Sequence, residues 1–196
     1  MLVSMNLSGP AEHPDSPDDD SAIPPVGIAQ CFDDRMWQIA GVPAHPLLVH
    51  AVVVLIPLAA IVLIVGSVWP RARRKLGILT PLVALVALVF VPLAKEAGEA
   101  LERQVPSSAA LETHTELGDQ LLPWAIGLFV VAAGQWLWFR LRERRSADGT
   151  STPAPRVATL AIAVVAIVVA GATTFSVVQV GDSGARAVWS SDAGSD

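Results

Sequence analysis

Four stretches of this chain contain no Asp, Glu, Lys or Arg: Pro46–Trp69, Leu76–Ala94, Leu121–Phe139 and Val157–Val180. Each is close to the roughly 20 apolar residues that an α-helix needs to cross the hydrocarbon core of a bilayer. The last stretch is built almost wholly of Ala, Val, Ile and Thr, mediocre helix formers in water. In hydrocarbon, however, every backbone N–H and C=O must be satisfied within its own segment, so helix prevails. A soluble bundle would show a polar face along each helix, and these stretches have none. The pattern predicts an all-α, integral membrane four-helix bundle. Pro57 is expected to kink the first span because it cannot donate to the Val53 carbonyl. Pro81, Pro92 and Pro123 fall nearer span ends. Gly171, between Ala170 and Ala172, is expected to let the fourth span approach a neighbour closely.

The charged residues between the spans orient them. Arg71, Arg73, Arg74 and Lys75 separate the first span from the second. Arg140, Arg142, Arg144, Arg145 and Arg156 separate the third from the fourth. The loop between the second and third spans holds Lys95 and Arg103 against Glu96, Glu99, Glu102, Glu112, Glu116 and Asp119. Lys/Arg-rich loops stay in the cytoplasm, so the two arginine loops face in, and both termini and the acidic loop face out. Tryptophans favour the interfaces: Trp69, Trp136 and Trp138 mark the inner one, and Trp37, Trp124 and Trp189 the outer one. The expected location is a bacterial plasma membrane, spanned several times.

Composition adds limits. Of 196 residues, 53% are hydrophobic and 16% charged, against about a quarter charged in an ordinary soluble domain. The net charge of −5 carries little meaning because the signs are segregated by loop. A single cysteine, Cys31, excludes an intrachain disulfide and a Cys-rich metal site. It follows Gln30, which does not suit lipoprotein cleavage, and reads as a free cysteine. Residues 1–40 form an acidic, Pro/Ser/Asp-rich tail expected to be disordered, without an apolar core behind a basic start. Residues 41–189 form the membrane domain, and 190–196 a second disordered tail.

The topology gathers the polar residues at one face. His45 and His50 flank the start of the first span, and Lys95, Glu96 and Glu99 follow the second. His114, Glu116 and Asp119 precede the third, and Asp182, Ser183 and Arg186 follow the fourth. Ionisable groups at or near the membrane are functional candidates. A regular helix turns His45 and His50 about 140° apart, unlike an i, i+4 chelating pair. His45 precedes Pro46, which biases it to extended backbone and lets it fold back. His50 with His114 is the better pair for a haem iron or a transition metal, with His45 a further candidate ligand, since imidazole suits zinc, copper and iron. A polar packing network is the plainer reading. Lys95, Glu99 and Arg103 stand at i, i+4 spacing and support a helix continuing into water. Gly181-Asp-Ser-Gly184 reads as a turn ending the fourth span, with Arg186 free to meet the acidic loop.

A shift of 69 positions places His45 on His114, Trp69 on Trp138 and Arg71 on Arg140, which suggests two repeated helix hairpins. The run Gly41-Val-Pro-Ala-His-Pro-Leu-Leu-Val-His50 resembles the opening of a family of small bacterial membrane proteins catalogued as domain of unknown function 2231. Lys95-Glu-Ala-Gly-Glu-Ala-Leu-Glu102, His114-Thr-Glu-Leu-Gly-Asp-Gln-Leu121 and Val180-Gly-Asp-Ser-Gly-Ala-Arg-Ala-Val-Trp189 are similar to its actinobacterial branch. The resemblance spans residues 37–189 and implies a four-helix membrane protein without implying an activity. It also leads us to expect translation to start at Met36.

Three function classes follow. The first is a small redox protein carrying haem or a metal, with His50 and His114 as ligands and the nearby carboxylates behind them. The second is an accessory or assembly subunit of a larger membrane complex, meeting other membrane subunits or a second copy of itself. The third is a minimal transporter, disfavoured because no charge lies at mid-membrane. No hydrolytic constellation is present, so the reading leans away from an enzyme. Nothing points to nucleic acid, and the basic loops are matched to anionic lipid headgroups.

Overall fold

The computed structural model describes residues 38–39, 42–147 and 156–192. Two short strands, β1 (Gln38–Ile39) and β2 (Val42–Pro43), pair antiparallel with Ile39 opposite Val42. Five helices follow: α1 (Ala44–Val68), α2 (Pro70–Leu76), α3 (Leu79–Glu102), α4 (Ala109–Ala147) and α5 (Arg156–Asp192). Four of them are long and apolar enough to cross a membrane, and the chain is a four-helix membrane bundle. Residues 1–37 of the acidic tail, with His13, Cys31 and Trp37, lie outside the described residues.

The helices outrun the uncharged stretches. α3 continues to Glu102, stabilised by the Lys95–Glu99 pair at 3.6 Å. α4 begins twelve residues ahead of Leu121, where Ser108 Oγ accepts the Leu111 N–H at 3.2 Å as an N-cap does. α1 runs through Pro57 without a break. Two expectations are corrected. The Gly181–Gly184 segment is not a turn: α5 passes through it to Asp192. Asp182 and Arg186 pair one helical turn apart at 2.6 Å, and Ser183 Oγ donates to the Val180 carbonyl, so the segment's polar groups support the helix. Arg186 is accordingly taken by Asp182 and does not reach the acidic loop.

α1 and α4 are each flanked by α3 and α5 and face one another across the diagonal of the bundle. They run parallel, since His45 meets His114 at one end and Ser67 meets Gln135 at the other. The interior is lined by small side chains: Ala59, Ala60, Ala84, Ala87, Ala125, Ala132, Ala166 and Ala170 are buried. Large apolar residues such as Val54, Ile61, Leu82, Val130, Val168 and Phe175 point outward. Lipid tails are as apolar as leucine, so burial of large side chains does not drive helices together, and small residues that bring backbones close do. Along α3 the buried positions Thr80, Ala84, Ala87, Val91, Ala94 and Ala97 recur every three or four residues, the stripe expected of one helix face. Gly171 is a third correction. It is exposed, with nothing near an added Cβ, while Ala163, Ala166, Ala170, Thr173 and Val177 form the inner stripe of α5.

Candidate functional site at the histidine end

His45 is the second residue of α1 and is helical, not extended. Pro46 sits in the first helical turn, where its missing N–H has no partner to lose. The half-buried His45 ring reaches α3 and donates from Nδ1 to the Ala94 carbonyl at 2.8 Å. Its Cε1–Nδ1 edge lies against Gly98: a Cβ there would stand 2.9 Å from His45 Cε1. His114, in the second turn of α4, makes the same kind of contact with α5. Its Nδ1 lies 3.0 Å from Ser183 Oγ, and a Cβ on Gly184 would stand 3.0 Å from His114 Cε1. The two hairpins thus repeat one local device, a histidine near the start of one helix seated on a glycine of the next. His114 follows His45 by 69 positions and Gly184 follows Gly98 by 86, because the second hairpin has the longer connection.

The two rings meet across the bundle diagonal, edge to face, with centres 6.3 Å apart and planes at 85°. Their tautomers follow from their partners. The Ala94 carbonyl only accepts, so His45 Nδ1 carries a hydrogen. Ser183 Oγ spends its hydrogen on the Val180 carbonyl at 2.9 Å, so it accepts from His114 Nδ1. In each neutral ring Nε2 is then the atom with the available lone pair. His114 lies seven residues outside the uncharged stretch of its helix. Burial pushes its imidazole below the usual value and the His45 ring adds to this, while the Val180 carbonyl and Glu102 act in the opposite direction.

Both histidines line a cavity of about 760 Å³, within the range of small-molecule and cofactor sites. Val49, Val52, Val91, Leu121 and Val177 form its apolar floor, and Lys95, Glu99, Glu102 and Asp119 its polar mouth. Lys95 bonds Asp119 at 2.9 Å, which ties α3 to α4. Asp119 holds the Lys95 ammonium above its usual value.

The remaining sequence candidates are placed elsewhere. His50 is exposed on α1, donates from Nδ1 to the Pro46 carbonyl at 2.6 Å and does not line the cavity. It is His45 that stands beside His114, because five residues of helix turn His50 away. Glu96, Glu116, Asp182 and Arg186 are exposed and do not line the cavity either. Among the described residues no three His, Cys, Asp or Glu side chains converge as a metal-binding group. Ser183 and Gly184 stood out in the sequence only as a polar neighbour and a turn residue, and nothing there marked Gly98, Gly184, Ser183 and the Ala94 carbonyl as partners of the histidine rings. The one available signal was the cost of a glycine inside a long helix.

The fold and this end of the bundle define a multi-pass membrane protein with a small-residue core and a polar mouth that opens on a cavity. The chain belongs to the family described as Predicted membrane protein (DUF2231), which matches residues 41–196. No curated protein and no solved structure matches it.

Proposed function

We propose that this protein binds a haem iron or a transition metal between His45 and His114 and serves as a small membrane redox protein. The observation that carries this reading is the paired imidazoles 6.3 Å apart, each held at Nδ1 with Nε2 left for an ion. Ligating histidines commonly donate their other ring nitrogen to a backbone or side-chain oxygen, which orients the ring and fixes its tautomer. A metal–nitrogen bond of about 2.0–2.1 Å puts the ion roughly 3 Å from a ring centre, so the 6.3 Å separation is the size that one shared ion needs once the edge-to-face rings turn their Nε2 atoms toward it. Among the described residues no third His, Cys, Asp or Glu converges with the two imidazoles, so the pair would suit a haem iron better than a site where four protein ligands are the rule. The cavity volume and apolar floor support the same choice. His50 plays no part in this reading.

The polar mouth faces out and the arginine end faces the cytoplasm of a bacterial cell, on the charge asymmetry of the loops. The test is to purify the protein from its native membrane in mild detergent, then record its absorption spectrum and metal content. We expect a bis-imidazole haem spectrum or stoichiometric metal. It is lost in His45→Ala and in His114→Ala and kept in His50→Ala. A colourless, metal-free protein that takes up neither haem nor metal on reconstitution overturns the proposal.

A further inference from the structure

At the opposite end of the bundle, α2 and the last turns of α4 enclose a second cavity of about 350 Å³. Arg73 enters it from α2 with its guanidinium over the Phe139 ring, 3.4 Å from the ring centre. Its Nη1 is sealed from solvent and has no hydrogen-bond acceptor. Arg74, Arg140 and Gln135 line the same space, and Glu143 is its one carboxylate.

We infer that this cavity is a phosphate-binding site, for the headgroup of an anionic lipid or for free phosphate. A charged donor withdrawn from water without an acceptor is costly, and Arg73 is held in that state by a ring that is itself buried. Three guanidinium groups against one carboxylate leave the cavity positive. Glu143 acts on Arg73 through charge alone, and burial of Arg73 outweighs it, so the carboxylate does not supply the missing acceptor. Guanidinium groups match the several oxygens of a phosphate through paired N–H donors. The site lies beside Trp136, at the arginine-rich end where basic pockets between membrane helices meet anionic headgroups.

The test uses the full chain in mild detergent, with native mass spectrometry after titration of phosphatidylglycerol or phosphatidylcholine, and with inorganic phosphate as competitor. We expect saturable retention of phosphatidylglycerol over phosphatidylcholine, weakened about tenfold or more in Arg73→Gln, the loss of a charged hydrogen bond. Arg71→Gln makes the same charge change at an exposed residue outside the cavity and should leave retention within about twofold. Glu143→Gln should tighten binding. Displacement by millimolar phosphate assigns the site to the phosphate group itself; resistance to it assigns the site to a lipid. Equal losses in Arg71→Gln and Arg73→Gln, or no saturable binding of lipid or phosphate, overturn the inference. If Arg73→Gln does not fold, Arg140→Gln and Glu143→Gln carry the test: opposite shifts support the site and anything else rejects it.

Discussion

His45 on α1 rests so closely on Gly98 of α3 that a methyl group on the glycine would stand 2.9 Å from the ring. Gly184 repeats the relationship with His114. Alanine normally improves a helix interior by about 0.5–1 kcal/mol over glycine, but crowding a packed site costs about 1–3 kcal/mol. Gly98→Ala and Gly184→Ala should therefore lower the thermal midpoint in detergent and weaken any ligand held by the paired rings. Gly134→Ala and Gly171→Ala, where nothing lies near an added Cβ, should be neutral or stabilising. If all four behave alike, the glycines are not seats for the histidines.

The lowered proton affinity of His114 has a definite sign. Its folded value lies below the unfolded value of about 6.5, so the unfolded chain binds the proton more readily. The stability linked to neutral His114 is fully present above about pH 6.5 and is lost as the pH falls through the folded value. A histidine-resolved NMR titration in micelles should give His114 a midpoint below about 6.5. His45→Ala should raise that midpoint by removing the ring that adds to the lowering.

Ser67 donates to Gln135 Oε1 at 2.5 Å in the buried interior near the arginine end, where both side chains are almost wholly enclosed. The Ser67 hydroxyl also lies 2.8 Å from the Leu63 carbonyl. Ser67→Ala strands the glutamine amide and should cost about 1 kcal/mol, as is typical of interhelical hydrogen bonds in membranes. Replacing both residues, Ser67→Ala with Gln135→Met, should recover most of the loss. A double-mutant cycle by thermal denaturation measures the coupling; additive losses would show that the two residues act independently.

Lys95 and Asp119 join α3 to α4 at the cavity mouth, but both are exposed. Asp119→Asn should shift the thermal midpoint only slightly, and the difference should vanish in high salt as screening grows. The raised proton affinity of Lys95 makes the pair's contribution present below the unfolded lysine value of about 10.4 and lost as pH rises through the folded one. A shift that persists in molar salt would assign Asp119 a different role.

The orientation is open to direct measurement. In a Cys31→Ser background, Ser107→Cys at the histidine end should react with a membrane-impermeant maleimide on intact cells. Lys75→Cys at the arginine end should react only after the membrane is opened. The reverse pattern would invert the bundle and with it the side to which the paired histidines open.

The span count and the helical class were legible because bilayer thickness and backbone hydrogen bonding admit few alternatives. Four uncharged stretches sufficed; the shift of 69 positions aligned His45 with His114 along the chain, but the pair read from the sequence was His50 with His114. Helix ends were less legible: Gly181–Gly184 has turn-forming residues, yet Asp182–Arg186 pairing and a neighbouring ring keep it helical. Spacing along α1 established that His45 and His50 point apart. Which of them meets His114 depended on the rotation of α1 against α3 and α4, a property of packing between helices. The seats at Gly98 and Gly184, the hydrogens on both Nδ1 atoms and the stacking of Arg73 on Phe139 each join residues far apart in the chain. The sequence by itself determined how many times the chain crosses the membrane and where its charges gather. The tertiary structure alone decided which polar groups face one another, because side-chain partners across a bundle are set by helix rotation and close approach, and no local pattern encodes those.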